Sequence, residues 1–585
     1  MSKNLLITTA IEATWREDMS VVFLGEWCCL YAREDIWSKL DSVVMDEYGW
    51  GEKQQEQEFD LVHELYEELL IDVSNYLNEY HRENKSVRYW RIIVGQWLFR
   101  YTSIVFNRWH TITSAIEKYE ISETVIIDYP VEKMIANDSL GFLHLVFGDE
   151  WNHRLYAKIL QSSSNVTCDY RSMDSLPIDM LFNKKRAKLS VINIVYRYIK
   201  KAISPLIGLL TKNNSVFIIS SSLPKIQETK LFWKLRQFSN LQWGPDITYP
   251  PPDMRKRTMV SLQADSNNGL KMFLYDNLFD FIPVCYLEGY KHLVELSKVA
   301  PWPKKPKTIF TTNSFDTDEL FKVWAAHQIE NGSKYIIGQH GGFYGTNKYT
   351  DSEMHENKTS DKYLTWGWSE FANQIPCMAF SVIGKLHGDW DRNGGLLLVQ
   401  LHRDIRVLPW DGTKCFKEYL ERQFTLCDLL PKNIRNQLIV RLHAAYINLG
   451  WEEDIMWKQR FPSIHVDNGK KSIDELVSSS RLTIHTYTST GILENLSRNI
   501  PTLCFWDQKR WPLRESALRA HDKLMKAGIL HHSPESVANK VIEIWDGVED
   551  WWNDSLVQES RVEFCEHYAR IPDNPINNLK DELVK

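Results

Sequence analysis

Residues 483–506 read TIHTYTSTGILENLSRNIPTLCFW, and this stretch constrains the fold more than any other part of the chain. It begins with an apolar, strand-like run, continues with apolar residues at helical spacing, and ends in a second apolar run at 501–506. A strand, a helix and a strand in this order form a βαβ unit, which requires a parallel sheet. The sequence therefore predicts an α/β protein.

The turn before this predicted helix is rich in hydroxyl groups. The first turn of a helix has N–H groups without intrahelical partners and the positive end of the dipole, so it can bind phosphate. A carboxylate one turn further on could reach a sugar hydroxyl. Ser and Thr are also common N-caps, so capping alone remains an alternative. The candidate donor-binding residues here are Thr488, Ser489, Thr490, Gly491 and Glu494.

Length and composition exclude several classes of protein. A chain of 585 residues with 43% apolar and 25% charged residues is typical of a globular protein of two or three domains. Its 69 Lys and Arg against 76 Asp and Glu give a net charge of −7, which does not favour nucleic-acid binding. No run reaches the roughly 18 apolar residues of a membrane span, and no signal peptide is recognisable.

Cysteine and tryptophan usage adds two further expectations. Nine cysteines without a C-x-x-C pair favour reduced thiols and a cytoplasmic protein, and no metal site or bound cofactor is expected. The 23 tryptophans favour large core contacts, although indole rings also suit stacking on sugars.

Short apolar runs alternate with helical patterns along the chain. A long helical region spans 56–119, and a break in the pattern at 376–393 predicts an interdomain hinge. We expect two Rossmann-like domains that face each other across a cleft. The predicted domains are an acceptor-side domain at 1–380 enlarged by helical insertions, a nucleotide-donor domain at 381–548, and a helical segment at 549–585.

Residues 184–212 form a basic amphipathic segment with eight Lys or Arg and no acidic residue. Such a helix can lie on an anionic membrane, which would place the protein peripherally on the inner face of the bacterial inner membrane. A helix packed on the protein with a solvated basic face is the alternative, and Pro205 interrupts the pattern.

Two further strand ends bear histidines. The run 336–345, IIGQHGGFYG, places His340 in a glycine-rich turn, where close approach of a ligand is possible and imidazole can move a proton. In the run 440–446, VRLHAAY, Arg441 and His443 project to the same side if the strand persists, which suits a phosphate or carboxylate ligand. Buried structural histidines and an exposed edge strand are the alternatives.

No P-loop, well-placed GxGxxG or HExxH is present, which disfavours ATPase, NAD-binding and zincin functions. The three motifs resemble those of cytidine-nucleotide-dependent GT-B transferases of bacterial surface polysaccharides. Glycerophosphotransferases of teichoic acid synthesis show a WHG-type turn, an RLHP strand tip and a DYSS helix start in this order. This chain has QHG at 339–341, RLHA at 441–444 and TYTS at 486–489. Similar motifs occur in transferases of Kdo and other nonulosonic acids, which use CMP-activated sugars.

The N-terminal third resembles a more specific group. The segments FLGEWC at 23–28, RYWRIIVGQWL at 88–98 and DEWNHRLY at 149–156 are similar to an uncharacterised family of transferases from bacterial surface-carbohydrate clusters. That resemblance covers nearly the whole chain and implies a GT-B-like fold. The family's acidic HWDDR-type segment is replaced here by YGWGEK at 48–53.

The resemblance implies a nucleotide-sugar donor, most simply a CMP-activated Kdo or nonulosonic acid, and a glycan or glycolipid acceptor. Arg441 and His443 would stabilise the leaving nucleotide. His340 would act as general base toward an acceptor hydroxyl or contact the donor carboxylate. If the reaction retains configuration by double displacement, one of three carboxylates in the first domain would be the nucleophile: Glu26, Asp128 or Asp149.

Two rival functions remain open. The same scaffold would serve a CDP-glycerol or CDP-ribitol phosphotransferase, and the tryptophan-rich composition also fits a non-catalytic carbohydrate-binding protein.

Overall fold

The computed structural model describes residues 4–49, 51–163, 165–172, 206, 208–240, 244–259, 262, 264, 266–401, 410, 416–444 and 450–585. Three parallel sheets follow one another along these residues. Most of the basic segment 184–212 lies outside the described residues, apart from 206 and 208–212. Among the helices described, none is long and apolar enough to cross a membrane.

The first sheet has five parallel strands in the order β3-β2-β1-β4-β5. Two long helices and a five-residue π-helix (Arg91–Gly95) lie between its third and fourth strands, so the predicted helical region at 56–119 is confirmed. Its strands are β1 (Asn4–Ile7), β2 (Ser20–Phe23), β3 (Ser42–Val44), β4 (Ile121–Asp128) and β5 (Thr167–Ser172).

The second sheet is ordered β10-β9-β8-β7-β6, and all its strands are parallel. Its central strands are buried on both faces, which explains why they read as short uninterrupted apolar runs. The strands are β6 (Val216–Ile219), β7 (Thr308–Thr311), β8 (Lys334–Gly338), β9 (Lys362–Thr365) and β10 (Gln374–Pro376).

The third sheet has six parallel strands in the order β13-β12-β11-β14-β15-β16. This is the order of a doubly wound Rossmann-type sheet, with its switch point between β11 and β14. The strands are β11 (Gly395–Val399), β12 (Leu438–Arg441), β13 (His465–Asp467), β14 (Ser480–His485), β15 (Thr502–Phe505) and β16 (Leu530–His531).

Helices cover the sheets and close the chain. They are α1 (Glu34–Trp37), α2 (Glu52–His81), α3 (Val87–Trp90), α4 (Gln96–Lys118), α5 (Ser139–Val146), α6 (Asp149–Ser163), α7 (Lys225–Leu235), α8 (Met254–Thr258), α9 (Gly269–Phe281), α10 (Tyr290–Val299), α11 (Ser314–Thr317), α12 (Glu319–Glu330), α13 (Asp351–Thr359), α14 (Phe416–Leu429), α15 (Lys432–Arg435), α16 (Glu453–Arg460), α17 (Ile473–Ser478), α18 (Thr490–Ser497), α19 (Glu515–Lys526), α20 (Pro534–Ile544), α21 (Val548–Trp552), α22 (Ser555–Tyr568) and α23 (Pro575–Val584).

The predicted α/β class with parallel sheets is confirmed by all three sheets. The first and third sheets have the doubly wound strand order of Rossmann-like units, whereas the strands of the second sheet follow one another in sequence order. The region 1–380 differs from the expectation, because it contains two sheets and not one sheet with helical insertions. The division of this region into two sheets was not predicted, because 76 residues, mostly helical, separate β3 from β4. The final helix α23 returns to the second sheet, where Lys362 pairs with Glu582 at 3.0 Å.

The tryptophans among the described residues lie mainly in the hydrophobic core. Seven of them are among the largest fully buried side chains, whereas Trp233 is 78% exposed. Core packing therefore accounts for much of the unusual tryptophan content, in agreement with the expectation of large core contacts.

Arg514 joins the third sheet's domain to the second. Its guanidinium donates to Glu353 at 2.7 Å, to Glu370 at 3.0 Å and to the Asn347 carbonyl at 2.9 Å. Its backbone N–H also donates to the carbonyl of Thr346 at 2.9 Å. Because Glu353 is buried, this group of bonds compensates a carboxylate that water does not reach.

Replacing Arg514 by alanine should lower the melting temperature by about 5 °C, because it leaves the buried Glu353 carboxylate without its cation. Arg392→Ala is the control, since Arg392 pairs with Glu549 on the exposed surface and such pairs contribute little. Scanning calorimetry of the two variants measures the difference, and equal melting temperatures would contradict this account of the domain junction.

Candidate functional site

The carboxyl ends of β8 and β14 meet directly. The backbone N–H of Gly342 donates to the Thr490 hydroxyl at 3.0 Å, and the Asn347 amide donates to the Thr488 hydroxyl at 3.3 Å. A Cβ at Gly342 would lie 2.6 Å from the Thr490 Cα. The glycine-rich turn and the hydroxyl-rich turn, singled out separately in the sequence, are therefore in contact across the two domains.

Gln339 holds the glycine-rich turn in place. It is fully buried, and its side-chain oxygen accepts from the Trp366 backbone at 2.8 Å and from the Trp368 indole at 2.9 Å. Its amide nitrogen donates to the Gly341 carbonyl at 2.8 Å. The glutamine that stands where the resembling transferases have tryptophan is thus a structural anchor for the residue that follows it.

His340 lies at the mouth of this turn with 26% of its side chain exposed. Its Nδ1 faces the Glu356 carboxyl at 3.5 Å, and its Nε2 lies 3.4 Å from the Tyr344 hydroxyl. Burial lowers the pKa of His340 to about 4, against a smaller raising effect of Asp316. The ring is therefore neutral at physiological pH.

The hydroxyl-rich turn follows β14, one of the two strands at the switch point of the third sheet. Ligands of doubly wound sheets bind in the crevice at such a point, outside the carboxyl ends of the strands. Thr486 is buried there, and its hydroxyl donates to the Val399 carbonyl at the end of β11 at 2.8 Å. Thr488, Ser489 and Thr490 then continue the chain into α18.

Part of this turn has a structural explanation. Ser489 is the N-cap of α18, and its hydroxyl accepts from the Ile492 N–H at 3.4 Å. A Cβ at Gly491 would lie 2.6 Å from Cε1 of His485, so the glycine makes room for that ring. Asn495 contacts the other side of the ring, with Nδ2 3.2 Å from Nε2. Capping and packing thus require the serine and the glycine, whatever else they bind.

Glu494 is engaged by the segment between the two domains. The Ser381 hydroxyl donates to its carboxylate at 2.5 Å, and the Lys385 ammonium lies 4.0 Å away. In this structure the side chain therefore links α18 to the segment where the sequence predicted a hinge, and a reach toward a sugar hydroxyl stays a prediction.

Of the pair Arg441 and His443, only Arg441 lies on β12. β12 ends at Arg441, so the strand does not continue to His443, which is exposed beyond its end. The Arg441 guanidinium lies 3.3 Å from the buried Asp467 carboxylate of the neighbouring strand β13. A Cβ at Gly469 would lie 2.6 Å from the Cα of Ala444, so the two backbones pack tightly there.

The three candidate carboxylates belong to the first sheet. Glu26 lies in a 3-10 turn just after β2, and Asp128 is the exposed last residue of β4. Asp149 begins α6 and accepts from the Ala10 N–H at 3.3 Å. They share the carboxyl edge of their sheet, but His340 belongs to the second sheet.

The loop after β2 nevertheless contacts the third domain. The Tyr31 hydroxyl donates to the Gln459 amide oxygen at 2.6 Å, and the Ala32 N–H donates to the Gly450 carbonyl at 3.3 Å. The Lys417 ammonium lies 4.9 Å from the centre of the Trp37 ring. The first domain thus borders the region beyond β12, on the side where Glu26 lies.

Three residues that contact the candidate site residues were not predicted from the sequence. His340 lies 3.5 Å from Glu356, and Ser489 lies 3.2 Å from His485. Arg441 lies 3.3 Å from Asp467. His485 had a local signal, since it directly precedes the hydroxyl-rich turn. Glu356 and Asp467 had none, because their contacts depend on how separate elements pack.

Gly342→Ala should separate the two turns, because its Cβ would overlap the backbone of Thr490. We expect a melting temperature lower by several degrees, with Gly341→Ala as the matched control. A Cβ at Gly341 would meet side-chain atoms of Tyr344 at 3.1 Å, which can shift slightly. Differential scanning fluorimetry compares the two variants, and equal loss in both would contradict a specific contact at Gly342.

Distant structural similarities were found to several solved proteins. MurG of Acinetobacter baumannii has a TM-score of 0.33 at 8% identity, over 63% of this chain and 99% of that one. The glycosyltransferase SnogD of Streptomyces nogalater has 0.33 at 13%, over 64% and 99%. The wall teichoic acid polymerase TagF has 0.30 at 9%, over 68% and 97%. Scores of this size carry no argument about function.

The family assignment rests on the sequence. No curated protein matches the chain significantly. Residues 4–583, which include all three sheets, match the model described as the LIC12162 family transferase. The chain is therefore an enzyme of the transferase class and belongs to the LIC12162 family of transferases.

Proposed function

We propose that the chain is a GT-B glycosyltransferase that moves a sugar from a nucleotide donor to a glycan or glycolipid of the bacterial surface. The observation that supports this most is the meeting of the His340 turn with the start of α18 at the switch point of the third sheet. A donor seated at that point would have its transferred group beside His340.

The geometry of the turn at the start of α18 supports donor binding there. The N–H groups at the start of α18 and the hydroxyls of Thr488 and Thr490 suit a phosphate oxygen, and the helix dipole favours its charge. Ser489 would contribute through its backbone, because its hydroxyl caps the helix. Arg441 and His443, at the end of β12, would stabilise the nucleotide as it leaves.

We propose a CMP-activated Kdo or nonulosonic acid as donor, on the motifs shared with such transferases. His340 would then serve either as general base toward the acceptor hydroxyl or as a contact to the donor carboxylate. Glu26, Asp128 and Asp149 would be candidates for a covalent nucleophile if configuration is retained. Peripheral membrane contact through 184–212 remains part of the proposal.

A donor screen tests the cytidine assignment. We expect the protein to release nucleotide from CMP-Kdo or a CMP-nonulosonate and not from UDP- or GDP-sugars, as measured by chromatography of the products. Release from CDP-glycerol or CDP-ribitol would support the phosphotransferase alternative. Release from UDP- or GDP-sugars alone would contradict both cytidine proposals, and binding without any release would favour a carbohydrate-binding protein.

His340→Ala should lower turnover at least about tenfold, since loss of a group that moves a proton or contacts the donor slows the chemical step. The melting temperature should change little, because the side chain is partly exposed. His465→Ala, at an exposed position where β13 begins, is the control. Unchanged turnover in the His340 variant would remove that residue from the mechanism.

A further inference from the structure

A buried carboxyl group lies directly beside His340. Glu356, on α13, is fully buried, and its Oε1 is 3.5 Å from His340 Nδ1. Within the described part of the chain, neither oxygen of Glu356 makes a hydrogen bond of ordinary geometry, and neither does His340 Nδ1. Two polar groups that have lost their water therefore face each other, and a shared proton is what would satisfy both.

Among the residues that the structure describes, no Lys or Arg forms an ion pair with Glu356. The nearby cations are engaged with other carboxylates: Arg91 with Glu67 at 2.6 Å, Arg100 with Asp316 at 2.5 Å and Lys322 with Glu319 at 2.9 Å. The remaining groups that act on the carboxyl are the hydroxyls of Tyr344 and Tyr363 and the acidic Glu353 and Asp316.

Burial without a neighbouring positive charge determines the protonation of Glu356. Burial raises the pKa of Glu356 well above its ordinary value, and the carboxylates of Glu353 and Asp316 raise it further, against the opposing effect of the two tyrosine hydroxyls. An unpaired carboxylate in such a place would cost several kcal/mol, so the neutral acid is the stable form. His340 is neutral as well, since burial lowers its pKa.

We propose that Glu356 is a positioning residue for His340, whose carboxyl proton is donated to Nδ1 so that the ring presents Nε2–H toward the cleft. A neutral acid can only donate to a ring nitrogen that has no proton, which places the ring proton on Nε2. Without a ligand, Nε2–H is close to the Tyr344 hydroxyl oxygen at 3.4 Å.

This arrangement distinguishes the two roles proposed for His340, general base and contact to the donor. The choice between these roles rests on the proposed function. A ring that already has a proton on Nε2 cannot accept one there as a general base. It can donate a neutral hydrogen bond to an anionic oxygen, which fits a phosphate or carboxylate of the donor. His340 would thus bind and orient the donor, and the base for the acceptor hydroxyl would be another group.

The tautomer can be measured without any substrate. In the full-length protein with 15N-labelled histidine, we expect the signal that disappears in His340→Gln to show a neutral ring protonated at Nε2 between about pH 6 and 8. Glu356→Gln should preserve this tautomer, because the amide N–H replaces the acid O–H. Glu356→Leu should produce a mixture of tautomers. An Nδ1–H ring or an imidazolium in the unsubstituted protein, or an unchanged tautomer in Glu356→Leu, would overturn the proposal.

Stability separates a positioning role from a structural one. Glu356→Leu should leave the melting temperature unchanged or raise it, because the buried carboxyl that it removes has no cation beside it and no hydrogen bond of ordinary geometry among the described residues. Glu353→Leu is the matched control on the same helix, and it should lower the melting temperature, since Glu353 pairs with Arg514 at 2.7 Å. An equal decrease in both variants would show that Glu356 is structural.

Turnover on the donor identified by the screen completes the test. Glu356→Leu should lower it about tenfold, and the same substitution should have no further effect in a His340→Ala background, as expected for two coupled residues. A loss in His340→Ala without one in Glu356→Leu would overturn the positioning role. No loss in His340→Ala would instead contradict the proposed role of His340 in transfer, while the tautomer measurement would still decide the dyad.

Discussion

The close approach of Gly342 to Thr490 is the constraint on which the rest of the site depends. It sets the distance between the second and third sheets where their strands end, since any side chain at 342 would overlap the facing backbone. Arg514 strengthens the same junction through buried Glu353, a short way along the chain from the turn. The two domains are thus joined where a ligand between them would bind.

The polar groups around His340 are arranged at the expense of stability. Buried donors and acceptors are normally satisfied, because an unpaired group loses its hydration without replacement. Around this histidine the described residues include Glu356 and His355, whose buried polar atoms make no ordinary hydrogen bond. The π-helix 91–95 packs at the same place: a Cβ at Gly95 would lie 3.3 Å from Cε1 of His355. Such concentrations are typical of functional sites, and π-helices often occur there.

The start of α18 shows that one residue type can have two reasons for its presence. Ser489 caps the helix, and Gly491 makes room for His485, whose pKa is lowered by burial to about 3. These contacts do not compete with phosphate binding by backbone N–H groups, which need no particular side chain. The hydroxyls of Thr488 and Thr490 contact the facing turn, so they connect the domains as well as the candidate donor site.

The sequence alone determined the α/β class and most of the strands, and it singled out the two turns that the structure brings into contact, because apolar periodicity and turn residues are local signals. Only the tertiary structure showed that 1–380 contains two sheets, since sheet membership depends on pairing between distant segments. It also ended β12 at Arg441, which pairs with Asp467 of the neighbouring strand, while Gly469 packs tightly against Ala444. The contact between His340 and Glu356 could not be predicted from the sequence either, because it depends on how α13 packs. The protonation of both side chains is set by burial without a countercharge, and no sequence pattern indicates such burial.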